Sequence, residues 1–388
     1  MGALDGIKVL DFTHYIAGPH CSQILADHGA EVIKIEPLTG EPSRYANPMH
    51  KGSSIYFQAM NRNKRTLALD LKSKEGKKVI RKLIQTSDVL VTNYSVGVPE
   101  RLGIGYEEVS KLNDKMIMTH ITGFGLTGPM KDYGAFDGII QAMSGVAHLT
   151  GEKDGQPLKT GLFIADHIAA FQGAIGVLLG LASRSRTGKG QLVDVGMYDS
   201  LVSMLAYNLS LASVFDKVPN RAGNRSTNVF ATTFKSKDGY LYIAPLTENM
   251  WIDFCSVIGK PEYAEIYSTT NSRLKDYDYL ESEVNKWTGA RTTNEIIDLL
   301  RERKIACGKV NSINDLLEDE QLKERNMLLS LELEGDEIIV PGVVIKLSDD
   351  KDRKENPAPP IGYNTEEILK ELGYSSIEIK DILKVAQH

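Results

Sequence analysis

The chain has 388 residues, of which 42% are apolar and 25% are charged, with a formal net charge of −6. A chain of this length can bury a large core, and we expect two domains or one domain with a sizeable insertion. The acidic balance, without a lysine patch interleaved with aromatics, argues against a nucleic-acid partner. No apolar leader opens the sequence and no apolar run reaches the length of a bilayer span, so we expect a cytoplasmic protein without membrane contact.

The cysteines are Cys21, Cys255 and Cys307, an odd number of residues that lie far apart in the sequence. This spacing argues against a disulfide framework and against a CxxC metal site, and it suits a reducing compartment. No other cluster of residues has the spacing of metal ligands, so we predict no bound metal.

The chain opens with a strand, a helix and a second strand. Residues 7–12 read IKVLDF and residues 31–36 read EVIKIE, which is typical of buried strands, and Pro19 is well placed to begin the helix between them. This order predicts a right-handed βαβ unit with parallel strands. Ligands of such sheets bind at the carboxyl ends of the strands, which here points to residues 13–18.

The alternation of strands and helices continues through the first half of the chain. Further strands are predicted at residues 65–71, 88–94, 116–122 and 191–196, with helices between them. Residues 37–60 contain several prolines and glycines and are predicted to be a loop. The pattern indicates an α/β fold with a doubly wound, parallel, Rossmann-like sheet.

A change in composition after residue 215 predicts a second, smaller α+β domain. We assign residues 1–215 to the large domain, 216–228 to a linker and 229–345 to the small domain, which contains hairpin patterns at both ends. Residues 346–360 are charged and then proline-rich, as in an exposed linker. Residues 361–388 are predicted to form helices that complete the large domain.

Asp166 is a single carboxylate at the point where an apolar segment turns into a long helix. The positions that follow it at helical spacing are mostly small: Ala169, Ala170, Gly173, Val177 and Gly180. Because glycine costs about 1 kcal/mol in a helix interior relative to alanine, such a face needs a packing reason. Taken alone, Asp166 is most simply an N-cap that accepts backbone N–H bonds.

Residues 123–128, GFGLTG, match the GxGxxG pattern of dinucleotide sites. Pro129 follows the last glycine and no amphipathic helix continues from it, so we reject a dinucleotide site. A functional loop and a plain glycine turn remain equal alternatives for this segment.

Residues 158–200 contain the run TG, Asp166, and then TGKGQLVDVGMYD, which resembles the core signature of the family III CoA-transferases, the CaiB/BaiF group. The similarity extends over essentially the whole chain, beginning with LDGIKVLDFTHYIAGP. It implies transfer of CoA from an acyl-CoA donor to a carboxylic acid, with Asp166 as the nucleophile that becomes an aspartyl-CoA thioester. It further implies an interlocked homodimer and no permanently bound cofactor, with coenzyme A entering as substrate.

The resemblance also implies CoA contacts in the large domain. It places Tyr15 and Ile16 in a loop that touches CoA, and it places Leu69 and Lys72 where the family has a contacting leucine and lysine. Arg101 falls on a family arginine that meets the CoA phosphates, which need basic partners. The alternative for Lys72 and Arg101 is a solvated surface charge.

Gly123 and Gly125 fall in a glycine loop near the family's active site, where backbone N–H groups would hold oxyanions. Phe136 is expected among the CoA-binding residues, and it stands where the family's α-methylacyl-CoA racemases carry a His directly before the residue equivalent to Asp137. Without that His the proton-transfer pair of a racemase is incomplete. A racemase and a non-catalytic acyl-CoA-binding homologue remain the alternatives.

The identity of the acceptor acid is left open by the sequence. Oxalate-specific members of the family carry a glutamine in place of Ile16 and a glycine run after the second-domain linker, where this chain has only residues 223–226, GNRS. Together, Tyr15 and Ile16 therefore predict a more apolar acid.

Overall fold

The computed structural model describes residues 2–215, 219–349 and 355–385, and the chain divides into two compact units. The first unit contains Met1–Ala147, Lys159–Lys217 and Gln321–His388, and the second contains His148–Leu158 and Val218–Glu320. Parts of both predicted linkers, residues 216–218 and 350–354, lie outside the described residues.

A six-stranded sheet forms the centre of the first unit. The N-terminal part of the first unit contains eight strands within the described residues. They are β1 (Lys8–Phe12), β2 (Glu31–Glu36), β3 (Met49–His50), β4 (Ser53–Ser54), β5 (Arg65–Ala68), β6 (Val89–Thr92), β7 (Ile117–Thr122) and β8 (Gln191–Gly196). β3 and β4 form a separate pair, and the other six are ordered β5-β2-β1-β6-β7-β8 with every pair parallel. The predicted parallel α/β sheet is confirmed, and its strand order reverses between β1 and β6.

Helices connect these strands. They are α1 (Ala17–Asp27), α2 (Ile55–Asn61), α3 (Lys74–Gln85), α4 (Val98–Leu102), α5 (Tyr106–Leu112), α6 (Asp137–Met143), α7 (Val146–Leu149), α8 (Ile164–Thr187), α9 (Met197–Val202) and α10 (Ala206–Phe215), with 3-10 turns at Pro42–Tyr45 and Ser203–Leu205.

The second unit has a three-stranded antiparallel sheet covered by helices. Its strands are β9 (Thr232–Lys235), β10 (Tyr240–Ala244) and β11 (Ala306–Lys309). Its helices are α11 (Glu248–Val257), α12 (Tyr263–Ile266), α13 (Thr270–Lys275), α14 (Tyr277–Thr288), α15 (Thr293–Glu302) and α16 (Ile313–Leu317). The remaining elements are α17 (Glu320–Glu324), β12 (Leu328–Leu333), β13 (Asp336–Pro341), α18 (Thr365–Glu371) and α19 (Ser376–Val385).

Successive side chains of each strand point to opposite faces of the sheet, and a hydrophobic core buries each face. On one face Val9 packs in a core with Cys21 of α1 and Ala169 of α8. On the other face Leu10 packs in a second core, which the C-terminal helix α18 joins through Ile368. Both cores are strongly apolar, which explains the near-continuous apolar runs of these strands.

Helix α8 packs closely on β7 and α1 because its inner face lacks side chains. A Cβ atom on Gly173 would lie 3.0 Å from the Cys21 sulfur, and one on Gly180 would lie 2.8 Å from Cγ2 of Ile117. Contrary to the sequence-based expectation, α8 is long and apolar enough to cross a membrane by length and composition, the one such helix in the described residues. Its small-residue face instead forms part of the core of the first unit.

The second hairpin, β12–β13, belongs to the first unit. The sequence had assigned it to the small domain of residues 229–345, so the predicted end of that domain differs from the structure. The Asp336 carboxylate meets the His50 ring nitrogen at 2.7 Å and Lys51 Nζ at 2.8 Å. The carbonyl of Pro341 accepts a hydrogen bond of 2.7 Å from Arg62. These long-range polar contacts tie the hairpin to the segment between β2 and β5.

One local prediction also needs correction. Residues 37–60, predicted as a loop, include most of the helix α2 (Ile55–Asn61), which the Ser54 hydroxyl caps by accepting the Phe57 N–H at 3.2 Å. Between α6 and α7 the chain turns at Gly145, whose φ of +91° suits only glycine well.

The close packing of α8 predicts opposite effects for two glycine-to-alanine substitutions. Gly180→Ala gains about 1 kcal/mol in helix propensity but overpacks against Ile117, which costs about 1–3 kcal/mol, so we expect a lower thermal midpoint. Gly138→Ala in α6, with no atom within 4 Å of the new methyl group, should instead raise it. Circular dichroism melts measure the thermal midpoints of both variants. Equal midpoints for the two variants would contradict the close packing of α8.

Candidate active site

The carboxyl ends of β1 and β6 open into a cleft in the first unit. The cleft has a volume of about 690 Å³ and is lined by the loops after β1, β6 and β7, together with the starts of α6 and α8. It therefore lies where the strand order reverses, which is the usual ligand position in open parallel sheets. His14, Tyr15 and Ala17 come from the loop that the sequence singled out.

Asp166 lines this cleft from the first turn of α8. The helix begins at Ile164 with Phe163 at the N-cap position, so Asp166 is not the N-cap of its own helix. The backbone of Ala17, at the start of α1, instead donates a hydrogen bond to the Asp166 carboxylate. The N-termini of α1 and α8 thus meet at one carboxylate, and the positive ends of both helix dipoles favour its charged form.

Burial opposes that effect more strongly. Desolvation first, and the negative charge of Asp137 second, raise the pKa of Asp166 to about 7, although the Ala17 hydrogen bond lowers it. An ordinary aspartate is ionised well below neutral pH, whereas Asp166 titrates near it. A carboxylate with such a pKa is a recognised mark of a functional site when it also lies in a cleft.

Asp137 and Gln141, one turn apart on α6, hold the segment that leads into α8. Asp137 is only 7% exposed; its Oδ1 accepts the Ala165 N–H at 2.8 Å, and its Oδ2 accepts Gln141 Nε2 at 2.6 Å. Gln141 also accepts the Thr160 N–H at 2.8 Å and donates to the Leu162 carbonyl at 3.0 Å. The amide next to Asp166 in the sequence is therefore capped from a different helix.

Tyr15 and Phe136 form one wall of the cleft. Tyr15 has a φ of +63°, an uncommon left-handed conformation for a tyrosine, and its ring meets that of Phe136 edge-on at 6.2 Å. Phe136 is 69% exposed and lines the cleft, as expected for a residue that contacts a ligand. Ile16 is only 2% exposed and does not line the cleft, so the predicted contact of its side chain stays untested.

A fully buried charge network lies under the loop of residues 13–18. Lys64 Nζ donates to Asp11 at 2.9 Å and to the Pro19 carbonyl at 2.8 Å, and Lys34 Nζ donates to the Thr13 carbonyl at 2.8 Å. Burial lowers the pKa of Lys64 to about 8, against the attraction of Asp11. Burial alone would raise the pKa of Asp11, but Lys34 and Lys64 hold it well below its usual range. Both ends of the loop are thereby tied to buried ammonium groups.

The remaining predicted CoA contacts lie near the ends of β5 and β6. Leu69 is buried in the second core, Lys72 is exposed, and Arg101 is exposed in the last turn of α4. Arg101 lines a second cavity, of about 180 Å³, together with Lys77 and Arg81 of α3. These two cations belong to a helix face that looks like ordinary solvated charge, so the sequence does not distinguish them as phosphate ligands.

The two glycines expected to hold oxyanions differ in position. Gly123 lines the cleft, close to Ala135 on the opposite wall. Gly125, with a φ of +82°, turns the chain towards Asp194, whose carboxylate accepts the Leu126 N–H at 3.1 Å. Of these two glycines, only Gly123 lines the same cleft as Asp166.

Two side chains at the cleft were not singled out from the sequence. His14 stacks edge-on with Tyr94 at 4.8 Å, and its buried Nε2 has no hydrogen-bond partner among the described residues. Burial, and secondly Lys34, lower the pKa of His14. Tyr56 of α2 also lines the cleft, and burial followed by the charge of Asp166 raises its pKa. Across the described residues, no group of three or more potential metal-ligating side chains comes together.

Comparison with known proteins agrees with this architecture. The sequence is 34% identical over 385 residues to the succinyl-CoA:mesaconate CoA-transferase of Haloarcula marismortui, covering 96% of this chain and 97% of that protein. It is 35% identical over 411 residues to the formyl-CoA:oxalate CoA-transferase of Rhodopseudomonas palustris, covering 98% and 96%. The crystal structure of a CaiB/BaiF family protein from Brucella suis superposes with a TM-score of 0.88 at 30% identity, covering 96% and 99%.

The family model of CoA-transferase family III matches residues 4–365, which include β1, the cleft and α8. The match, the relatives and the fold all agree with the resemblance seen in the sequence, which is confirmed. The chain belongs to CoA-transferase family III and is an enzyme of the transferase class.

Proposed function

We propose that this protein moves CoA from an acyl-CoA donor to a carboxylic acid acceptor through an aspartyl-CoA thioester on Asp166. The observation that carries the proposal is the setting of Asp166, a half-buried carboxylate that lines a cleft at the reversal point of a parallel sheet. Two helix N-termini are directed at it, and its pKa of about 7 lies near neutral pH. Both similar enzymes named above transfer CoA to carboxylic acids.

The reaction is a series of balanced exchanges at carbonyl carbons. A carboxylate oxygen of Asp166 attacks the donor thioester, the C–S bond breaks, and a mixed anhydride and CoA thiolate are formed. The thiolate attacks the Asp166 carbonyl carbon, which releases the donor acid as a carboxylate and leaves Asp166 as a CoA thioester. The acceptor carboxylate then attacks that thioester, whose C–S bond breaks, to give a second mixed anhydride and CoA thiolate. The thiolate attacks the acceptor carbonyl of this anhydride, which gives the new acyl-CoA and releases Asp166 as a carboxylate. One difficult exchange is thereby divided into easier steps.

The groups around Asp166 have distinct tasks in this scheme. The Ala17 N–H orients the carboxylate before attack. Each attack develops negative charge on a carbonyl oxygen, and a fixed backbone N–H at the cleft wall stabilises such an oxyanion. Gly123 is our candidate for that donor, and Gly125 is a weaker one because it turns towards Asp194. The unpartnered Nε2 of His14 is available to hydrogen-bond a substrate oxygen.

We place the phosphates of CoA at the cavity lined by Arg101, Lys77 and Arg81, because clustered guanidinium and ammonium groups match phosphate oxygens. Lys72 remains a proposed contact at the surface nearby. Leu69 and Ile16 have buried side chains, so we assign any contact of theirs with CoA to the backbone.

We further propose an acceptor acid with an apolar body. The cleft walls are aromatic, with contributions from Tyr15, Tyr56, Phe136 and Phe163. Lys131, which is exposed, is the only lysine or arginine among the described residues that line the cleft, so a second carboxylate of the acceptor would find little compensation there. Phe136 cannot transfer a proton, which disfavours the racemase alternative.

We propose that the protein acts as an interlocked homodimer in the cytoplasm. The outer face of α8 exposes a row of large apolar side chains, which are Phe171, Ile175, Leu178 and Leu179. An exposed apolar surface of this kind is typical of an interface rather than of a solvated helix. The family resemblance supplies the interlocked form, and the free cysteines suit a reducing compartment.

The central prediction is covalent acylation of Asp166. Hydroxylamine added together with an acyl-CoA should inactivate the enzyme, because an anhydride or thioester is far more electrophilic than a carboxylate, and hydroxylamine alone should not. Peptide mass mapping should place the hydroxamate at Asp166. Asp166→Asn should lower the rate of CoA transfer by several orders of magnitude while CoA still binds.

A stability measurement separates this role from a purely structural one. Because the pKa of folded Asp166 is raised, its ionisation disfavours folding, and that penalty grows as pH rises from about 4 to about 7. Asp166→Asn should therefore melt higher than wild type at pH 8 and equally at pH 4. A variant that melts lower at both values and keeps normal turnover would contradict the mechanism.

The phosphate assignment predicts that Arg101→Ala raises the apparent KM for acyl-CoA about ten- to a hundredfold, because a charge-assisted hydrogen bond is lost. The effect should be smaller with dephospho-CoA esters if the 3′-phosphate is the partner. Lys72→Ala should act in the same direction. Lys111→Ala on α5 is the matched control at an exposed lysine, and steady-state rates that are equal for all variants would exclude the assignment.

The dimer prediction is tested by light scattering at dilute protein concentration, which should give twice the mass of one chain. Leu179→Asp, which places a charge on the exposed face of α8, should weaken the association. A monomer that retains full activity in the wild-type protein would refute the proposal.

A further inference from the structure

We propose that Asp137 is a positioning residue for Asp166 whose negative charge also favours the acylated, uncharged form of that side chain. The inference rests on the proposed aspartyl intermediate and extends it. It stands on the hydrogen bonds that Asp137 makes and on its place beside Asp166 in the wall of the same cleft.

The positioning role follows from how α8 begins. A helix start leaves several N–H groups without intrahelical partners, and a side-chain oxygen at the N-cap usually accepts one of them. Phe163 occupies that position and has no such oxygen. Asp137 supplies it from α6, through the bond of 2.8 Å from the Ala165 N–H. The residue after Ala165 is Asp166, so this bond fixes the backbone that carries the nucleophile.

Gln141 makes the arrangement rigid. It holds Asp137 at 2.6 Å on one side, and on the other it binds both the Thr160 N–H and the Leu162 carbonyl. The whole segment entering α8 is thereby attached to one face of α6. A neutral residue at position 137 could preserve part of this network, so the need for a carboxylate requires a second reason.

That second reason is charge. Asp137 binds the amide of Ala165, the residue before Asp166, and lines the same cleft, so its charge acts at short range and disfavours ionised Asp166. Formation of an anhydride or thioester removes the negative charge of Asp166, as protonation does. Whatever raises the free energy of the charged carboxylate therefore shifts the acylation equilibrium towards the covalent intermediate by the same amount. The fixed negative charge of Asp137 acts on the free enzyme and is relieved when Asp166 is acylated.

Other titratable groups line the same cleft as Asp166. Tyr15 and His14 face it from the loop after β1, Tyr56 from α2, Tyr94 from the loop after β6, and Lys131, Asp132 and Tyr133 from the segment before α6. The residue after Asp166, His167, pairs with His20 of α1 at 2.8 Å, and burial lowers the pKa of both rings. Among these neighbours, Asp137 is the one whose charge shifts Asp166.

The test uses Asp137→Asn, which removes the charge while keeping one oxygen for the Ala165 N–H. The rate constant kcat/KM should rise with pH as Asp166 ionises in the free enzyme, and in the variant this rise should move to lower pH. Wild type and variant are also equilibrated with butyryl-CoA and butyrate, and with succinyl-CoA and succinate. Intact-protein mass spectrometry then measures the ratio of CoA-bound to free Asp166. For each pH unit by which the kcat/KM profile moves, the ratio of CoA-bound to free Asp166 should fall about tenfold.

A second measurement needs no turnover. Thermal midpoints are recorded at pH 8 for wild type, Asp137→Asn, Asp166→Asn and the double variant. Asp166→Asn should raise the midpoint more in the presence of Asp137 than in its absence, and this difference should disappear at pH 4. Glu107→Gln on α5, which joins the core on the opposite face of the sheet, removes one charge as the control and should change neither the pH profile nor the midpoint difference.

The outcomes separate the two proposals. If wild-type Asp166 is never labelled, the aspartyl intermediate is wrong, whatever the midpoints show. If Asp166 is labelled but Asp137→Asn leaves the pH profile and the midpoint difference unchanged, the charge role of Asp137 is overturned while the intermediate stands. A loss of kcat in Asp137→Asn without any pH shift would support the positioning role of Asp137 and overturn its charge role.

Discussion

The cleft depends on the distance at which α8 packs against β7 and α1. Glycines at positions 173 and 180 allow the helix to approach until a single methyl group would collide with Cys21 or Ile117. That approach brings the N-terminus of α8 beside the N-terminus of α1, and only then can the Ala17 N–H reach the Asp166 carboxylate. Close packing of small residues is therefore what creates the electrostatics of the site.

Two carboxylates near this edge of the sheet show how environment determines the pKa of an aspartate. Asp11 is fully buried between two ammonium groups and hydroxyl donors, and its pKa is held low, so it remains a fixed structural charge. Asp166 is partly desolvated and has the carboxylate of Asp137 as its charged neighbour, and its pKa rises to about 7. Paired groups whose pKa values are pushed apart in this way are a general feature of acid–base and nucleophilic sites.

The ends and the middle of the loop at residues 13–18 differ in their backbone energetics. Its ends are anchored by Lys34 and Lys64, whose bonds to carbonyl oxygens are buried and charge-assisted. Its middle carries Tyr15 in a left-handed conformation that costs free energy. The anchored ends hold this strained residue in place, where its ring meets Phe136 at the cleft wall.

The sequence by itself determined the parallel sheet, and it pointed to the end of β1 and to Asp166 as the candidate nucleophile, because periodicity, turn residues and a family signature are local properties. It did not indicate α2, and it assigned the hairpin β12–β13 to the small domain. The position of this hairpin depends on contacts of Asp336 and Pro341 with residues almost three hundred positions earlier. Only the tertiary structure decided that Asp137 caps α8, that Ala17 reaches Asp166, and that Lys77 and Arg81 stand beside Arg101. These partners come from separate helices and loops, so they meet through packing and leave no spacing pattern in the chain.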